Sequence, residues 1–154
     1  MRHAFHNARM LAPAGVVDGH VLLVDGDRIA DIVPAGDPRA AAGERHDLAG
    51  QLLLPGFIDA QVNGGGGVLF NDAPTVEGIR AIGAAHARLG TTGFLPTRIS
   101  DTPEVLARAL AAVDAAIAAG GPGLLGIHVE GPCLAESRRG VHAAAHLRKV
   151  TETV

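Results

Sequence analysis

At 154 residues, 47% of them hydrophobic, the chain is long enough for one domain with a sizeable core and too short for two large ones. A net charge of -3 with singly scattered lysines and arginines excludes a basic stripe for nucleic acid and a cationic amphipathic helix for a membrane surface. One cysteine excludes an internal disulfide, no apolar run nears the ~20 residues that span a bilayer, and the N-terminus has no secretory pattern, so a reducing cytoplasm is the expected compartment.

Residues 1–53 read as the N-terminal part of a small β domain. His20-Val21-Leu22-Leu23-Val24 and Arg28-Ile29-Ala30-Asp31-Ile32-Val33 flank Asp25-Gly26-Asp27, a hairpin pattern. A Pro, Ala and Gly-rich loop follows from Pro34 to Gly43, then a short strand near Arg45 to Leu48. His3, His6, His20 and His46 fall in this layer and are expected at its surface.

From residue 54 to 154 the pattern becomes strands alternating with helices. Leu53 to Val62 reads as a strand, interrupted at Pro55-Gly56 and closed by Asn63 and four glycines. Pro74 suits the first turn of a helix after Asp72, with Val76, Ile79, Ile82, His86 and Leu89 at helical spacing and a stop at Gly90. Thr92 to Ile99 is the next strand. Thr102-Pro103 opens a second helix with Leu106, Leu110, Val113 and Ile117 on one stripe, ended by Gly120-Gly121-Pro122. Leu124 to Glu130 is the last strand. A β-α-β-α-β order implies parallel strands joined by right-handed crossovers, and three such strands leave edges in need of partners.

The strand ends carry the candidate chemistry. Gly131-Pro132 cannot continue the last strand, so Glu130 stands at its C-terminal mouth, where ligands and metals sit in parallel α/β folds. There it is either a metal ligand or one half of an ion pair. Alternation puts Asp59, Gln61 and Asn63 on one side of the first strand and His128 with Glu130 on one side of the third. His128 is a second ligand through His-x-Glu spacing, or a hydrogen-bonded interior residue. Gly64-Gly65-Gly66-Gly67 offers backbone N–H groups to an anion or is a plain turn. Cys133 has no zinc-type partner spacing and reads as a packed thiol. Arg138-Arg139-Gly140-Val141-His142 brings an imidazole over the mouth and two arginines toward an acidic group, or is a solvated turn.

In order along the chain stand Leu54-Pro55-Gly56-Phe57-Ile58-Asp59, Gln61-x-Asn63-Gly64, Phe70-Asn71-Asp72, Gly90-Thr91-Thr92, Leu95-Pro96-Thr97 and Gly126-Ile127-His128-Val129-Glu130-Gly131-Pro132. This set resembles the N-acetylglucosamine-6-phosphate deacetylases of the amidohydrolase superfamily. The resemblance implies an α/β fold, the first three βα units of a partial (β/α)8 barrel preceded by a small β-sandwich segment. It implies hydrolysis of N-acetylglucosamine 6-phosphate to glucosamine 6-phosphate and acetate with one divalent metal ion, zinc or iron.

By the same resemblance Glu130 matches the metal-binding glutamate. Gln61 and Asn63 stand where many amidohydrolases carry His-x-His, and Val141 and His142 match a substrate-contacting pair. The catalytic aspartate and two metal-binding histidines of the family are expected beyond residue 154, so this chain alone is expected to be inactive, and the full-length enzyme to be a homo-oligomer. The competing readings are another amidohydrolase substrate and a non-catalytic remnant or assembly partner.

Overall fold

A computed structural model describes residues 1–150, which fall into two compact units, Met1–Pro55 and Gly56 onward. No helix among the described residues is long and apolar enough to cross a membrane.

The first unit is built from β1 (Arg2–His6), β2 (Arg9–Ala12), β3 (Gly15–Val17), β4 (His20–Asp25), β5 (Arg28–Pro34), β6 (Glu44–Asp47) and β7 (Leu52–Leu53). They form a four-stranded sheet in the order β5-β4-β1-β6 and a three-stranded sheet in the order β3-β2-β7. Strand alternation sends Ala4, Val21, Leu23 and Val33 to one face, where they bury together with Ala40. The β4–β5 turn places Gly26 at φ 61, a conformation a side chain would oppose. The histidines differ from expectation. All four are half-buried, and His3 Nδ1 lies 3.0 Å from His46 Nε2, because β1 and β6 pair in parallel and bring the two rings to one face.

The second unit contains β8 (Phe57–Val62), β9 (Gly64–Gly65), β10 (Val68–Leu69), α1 (Val76–Ala87), β11 (Thr91–Ile99), α2 (Pro103–Ala118) and β12 (His128–Glu130). Strands β8, β11 and β12 form a parallel sheet in the order β12-β11-β8. Both helices cover one face of it, around Val62, Phe70, Ile79, Ile82, Phe94, Ala109, Val113 and Ala116. Gly83 makes the close approach of α1 possible, since a Cβ there would lie 2.8 Å from the Phe94 ring.

Several boundaries depart from the sequence reading for local reasons. Pro55-Gly56 divides the expected first strand outright: Leu52–Leu53 pairs with β2 in the first unit, and β8 begins only at Phe57. Helix α1 starts after Thr75, whose hydroxyl accepts from the Gly78 N–H at 3.1 Å, so Pro74 precedes the cap. Thr102 caps α2 as expected, with Pro103 in the first turn.

The buried stripe of α2 is Ala109, Val113 and Ala116, leaving Leu110 and Ile117 42% and 47% exposed. Small residues let the helix pack closely against α1, and a search for the largest apolar side chains misses them. In the third strand only His128–Glu130 joins the ladder, because Gly123 and Gly126 take positive φ and Leu124 makes one isolated bridge to Phe94. The four glycines form a tight hairpin. Gly66 and Gly67 at φ 61 and 80 supply the turn between β9 and β10, as a type I′ turn requires, and His86 Nε2 lies 2.9 Å from the Gly64 carbonyl oxygen.

Candidate metal centre and substrate face

Val62 points into the helix-side core, so Gln61 beside it projects from the opposite, uncovered face of the sheet. Residues 128 and 130 at the end of β12 share one side by the same alternation. Across this face Gln61 Nε2 donates to Glu130 Oε2 at 3.1 Å. Glu130 Oε1 lies 3.3 Å from His142 Nε2. One carboxylate is thus held between an amide from the first parallel strand and an imidazole that returns from the segment after β12.

The imidazole is fixed in its tautomer. The backbone N–H of Ser100 donates to His142 Nδ1 at 3.2 Å, and Ser100 Oγ lies 2.7 Å from the same nitrogen. A nitrogen that accepts an N–H carries a lone pair, so the ring hydrogen sits on Nε2 and His142 donates it to Glu130. The turn that delivers the ring is closed on both sides, with the His142 N–H donating to the Arg139 carbonyl at 3.0 Å and Arg139 Nη1 donating to the His142 carbonyl at 2.7 Å. His142 is buried, while its neighbour Val141 is 85% exposed.

The other sequence candidates are placed as follows. His128 Nδ1 lies 3.1 Å from the fully buried Thr97 Oγ1, on the strand beside it, and that nitrogen is engaged there. Asn63 is exposed, and its carbonyl accepts from the Phe70 N–H at 2.9 Å. Among the described residues the hydrogen bonds to the Glu130 carboxylate come from Gln61 and His142. Cys133 is exposed rather than packed, since the chain leaves the sheet at Gly131-Pro132. Arg139 spends its guanidinium on the His142 carbonyl instead of an acidic group.

Ser100, Thr97 and Asn71 hold the site; Thr97 and Asn71 stand in the ordered motifs with no role assigned to them there, and Ser100 carries no signal of its own in the sequence. Asn71 Oδ1 accepts from the Ile99 N–H at 3.0 Å, tying the end of β11 to the segment after β10. On the helix side Arg98 is buried beside Asp101, 3.3 Å away, and burial pushes its guanidinium pKa down against the pull of that carboxylate.

Glu130 has a carboxylate one-third exposed, with a neutral donor on each oxygen and lone pairs to spare, which suits a single ligand to a divalent ion. A catalytic zinc site takes three protein ligands, and among the described residues no three-donor cluster includes Glu130.

Gly131 is required for this packing. It sits at φ +81, and a Cβ would fall 2.2 Å from Ser100 Oγ and 3.4 Å from His142 Nδ1. Gly131→Ala is expected to lower the melting temperature by roughly 2–8 °C through backbone strain and displacement of Ser100. Calorimetry on the two chains checks this; equal melting would show that Ser100 yields freely.

No family model matches the sequence. The chain is 51% identical over 105 residues to an N-acetylgalactosamine-6-phosphate deacetylase of a Shewanella species, covering 68% of this chain and 27% of that protein. It is 38% identical over 150 residues to the human N-acetylglucosamine-6-phosphate deacetylase, covering 94% of this chain and 36% of that protein.

Among solved structures, the N-acetylglucosamine-6-phosphate deacetylase of Pasteurella multocida superposes with a TM-score of 0.91 at 34% identity, over 99% of this chain and 40% of that one. A variant of the Mycobacterium smegmatis enzyme, in complex with N-acetyl-D-glucosamine-6-phosphate, superposes with a TM-score of 0.83 at 27% identity, over 98% and 38%. The chain therefore spans about a third of the length of the curated relatives it matches. It belongs to the N-acetylglucosamine-6-phosphate deacetylase family of hydrolases, corresponding to an N-terminal part of the longer members.

Proposed function

We propose that residues 56–150 form the first three βα units of a metal-dependent amidohydrolase barrel, preceded in the chain by a small β-sandwich segment over residues 1–55. The proposed site removes the acetyl group of N-acetylglucosamine 6-phosphate, yielding glucosamine 6-phosphate and acetate. The observation that carries this reading is the Gln61–Glu130–His142 array on the uncovered face of the parallel sheet.

Glu130 is the residue of this chain that would hold a divalent ion, zinc or iron, which when bound lowers the pKa of water and polarises an amide carbonyl. Gln61 fixes the carboxylate from one side and so limits its rotamers. His142 has a single N–H, set by the Ser100 main chain and accepted here by Glu130, and it would turn that donor to the acetamide oxygen of the substrate once the carboxylate is given over to the ion. Val141 and Asn63, both exposed, give an apolar and an amide contact for the sugar.

The similarity to the Shewanella relative favours a second reading in which the sugar is N-acetylgalactosamine 6-phosphate, differing only at one hydroxyl centre. A chimaera in which residues 1–150 replace the matching part of the Pasteurella multocida enzyme separates the two. It is expected to release acetate from at least one of these phosphorylated sugars and not from their unphosphorylated forms. The isolated 154-residue chain with zinc or iron is expected to release none, since Glu130 alone does not make a three-ligand site. A folded but silent chimaera, or steady turnover by the isolated chain, would overturn the proposal.

A further inference from the structure

The first unit holds a side-chain cluster that the deacetylase reading leaves unused. We propose that His3, Glu44 and His46 form a separate site for a zinc-class divalent ion on the outer face of the four-stranded sheet. Parallel pairing sets His3 opposite Glu44 and Phe5 opposite His46, and the two-residue spacing in β6 puts Glu44 and His46 on the same face. Ala4, between His3 and Phe5, is fully buried in the core behind, so these side chains project from the other side.

The distances suit an ion. His3 Nδ1 lies 3.0 Å from His46 Nε2 and 3.4 Å from Glu44 Oε2, and one ligand atom from each residue falls within 4.8 Å of the others. Bonds of ~2.0–2.2 Å in a tetrahedral arrangement separate neighbouring donors by about 3.3–3.6 Å, so small side-chain movements suffice. Two imidazole nitrogens with one carboxylate oxygen form a donor set typical of zinc and its borderline neighbours. Each neutral imidazole can keep its hydrogen on its other nitrogen, leaving both facing lone pairs for one ion.

The ring positions are set beforehand. Phe5 stacks on His46 with centroids 4.7 Å apart and planes 19° from parallel, which limits rotation of the ligand ring. The Glu44 side chain is 57% exposed and that of His3 28%, so an ion can enter from solvent and a water can complete its shell.

Zinc binding to the full 154-residue chain, followed by equilibrium dialysis and by histidine ring NMR signals, tests the proposal. The wild type and Glu130→Gln are expected to bind zinc alike at this site, with the His3 and His46 signals shifting together. His46→Asn and Glu44→Gln are expected to weaken binding at least about tenfold. Metal-free melting curves show whether each variant is folded, and if His46→Asn fails to fold, the wild-type ring signals decide. Unmoved His3 and His46 signals at saturating zinc, or unchanged affinity in a folded His46→Asn, would overturn the site.

Discussion

Glu130→Gln in the chimaera is expected to lower kcat/KM by at least about 100-fold and to reduce bound metal in parallel. The magnitude follows from position: loss of a group that merely orients a ligand already costs roughly 10–100-fold, and here the ligand itself is neutralised. The substitution keeps the shape and removes the charge. It also creates a local conflict, because both partners are donors, Gln61 Nε2 at one oxygen and His142 Nε2 at the other. Whichever way the new amide turns, its NH2 faces one of them, so one contact is lost. Activity assays with metal analysis of the same preparation provide the check. More than a tenth of the activity, with metal content unchanged, would remove Glu130 from the proposed centre.

Phe70→Ala carries the largest expected effect on stability, about 3–5 kcal/mol, which is a large part of the ~5–15 kcal/mol that holds a domain of this kind. Phe70 is fully buried in the cluster with Ile79, Ile82 and Phe94, and truncation leaves a cavity that these side chains only partly fill. Its N–H also donates to the Asn63 carbonyl, so loosening it frees the end of β8, two residues beyond Gln61. Urea unfolding is the measurement, with Leu69→Ala as the comparison. Leu69 is 55% exposed and its loss is expected to change stability by no more than about 0.5 kcal/mol. Similar costs for the two substitutions would refute the assignment of Phe70 to the core.

What could be read from residue order alone depends on how local the cause is. The cap of α2 was legible because Thr102 and Pro103 act within one turn. Alternation along β8 and β12 was enough to place Gln61 and Glu130 at strand ends, since a buried Val62 forces its neighbour to the other face. Of the apolar stripe on α2 the sequence shows Val113 correctly, but the rest of the buried face is set by the smallest side chains, Ala109 and Ala116, against surfaces distant in the chain. Likewise the cluster of His3 and His46 depends on β1 meeting β6 in parallel, which no short-range pattern shows. Ser100 has no local signal for the same reason: its partner is 42 residues away, brought back by the turn through Arg139.

The Ser100–His142 contact has a bearing on how this surface tolerates change. Since one of the two groups meeting the ring belongs to the main chain, the choice of nitrogen that bears the hydrogen does not depend on the side chain at position 100, so long as the residue there is not proline. A lineage could drift through alanine or threonine there and still present the same polarity toward the acid. What drift cannot spare is the path of the backbone itself, and that places the constraint on the turn rather than on the serine.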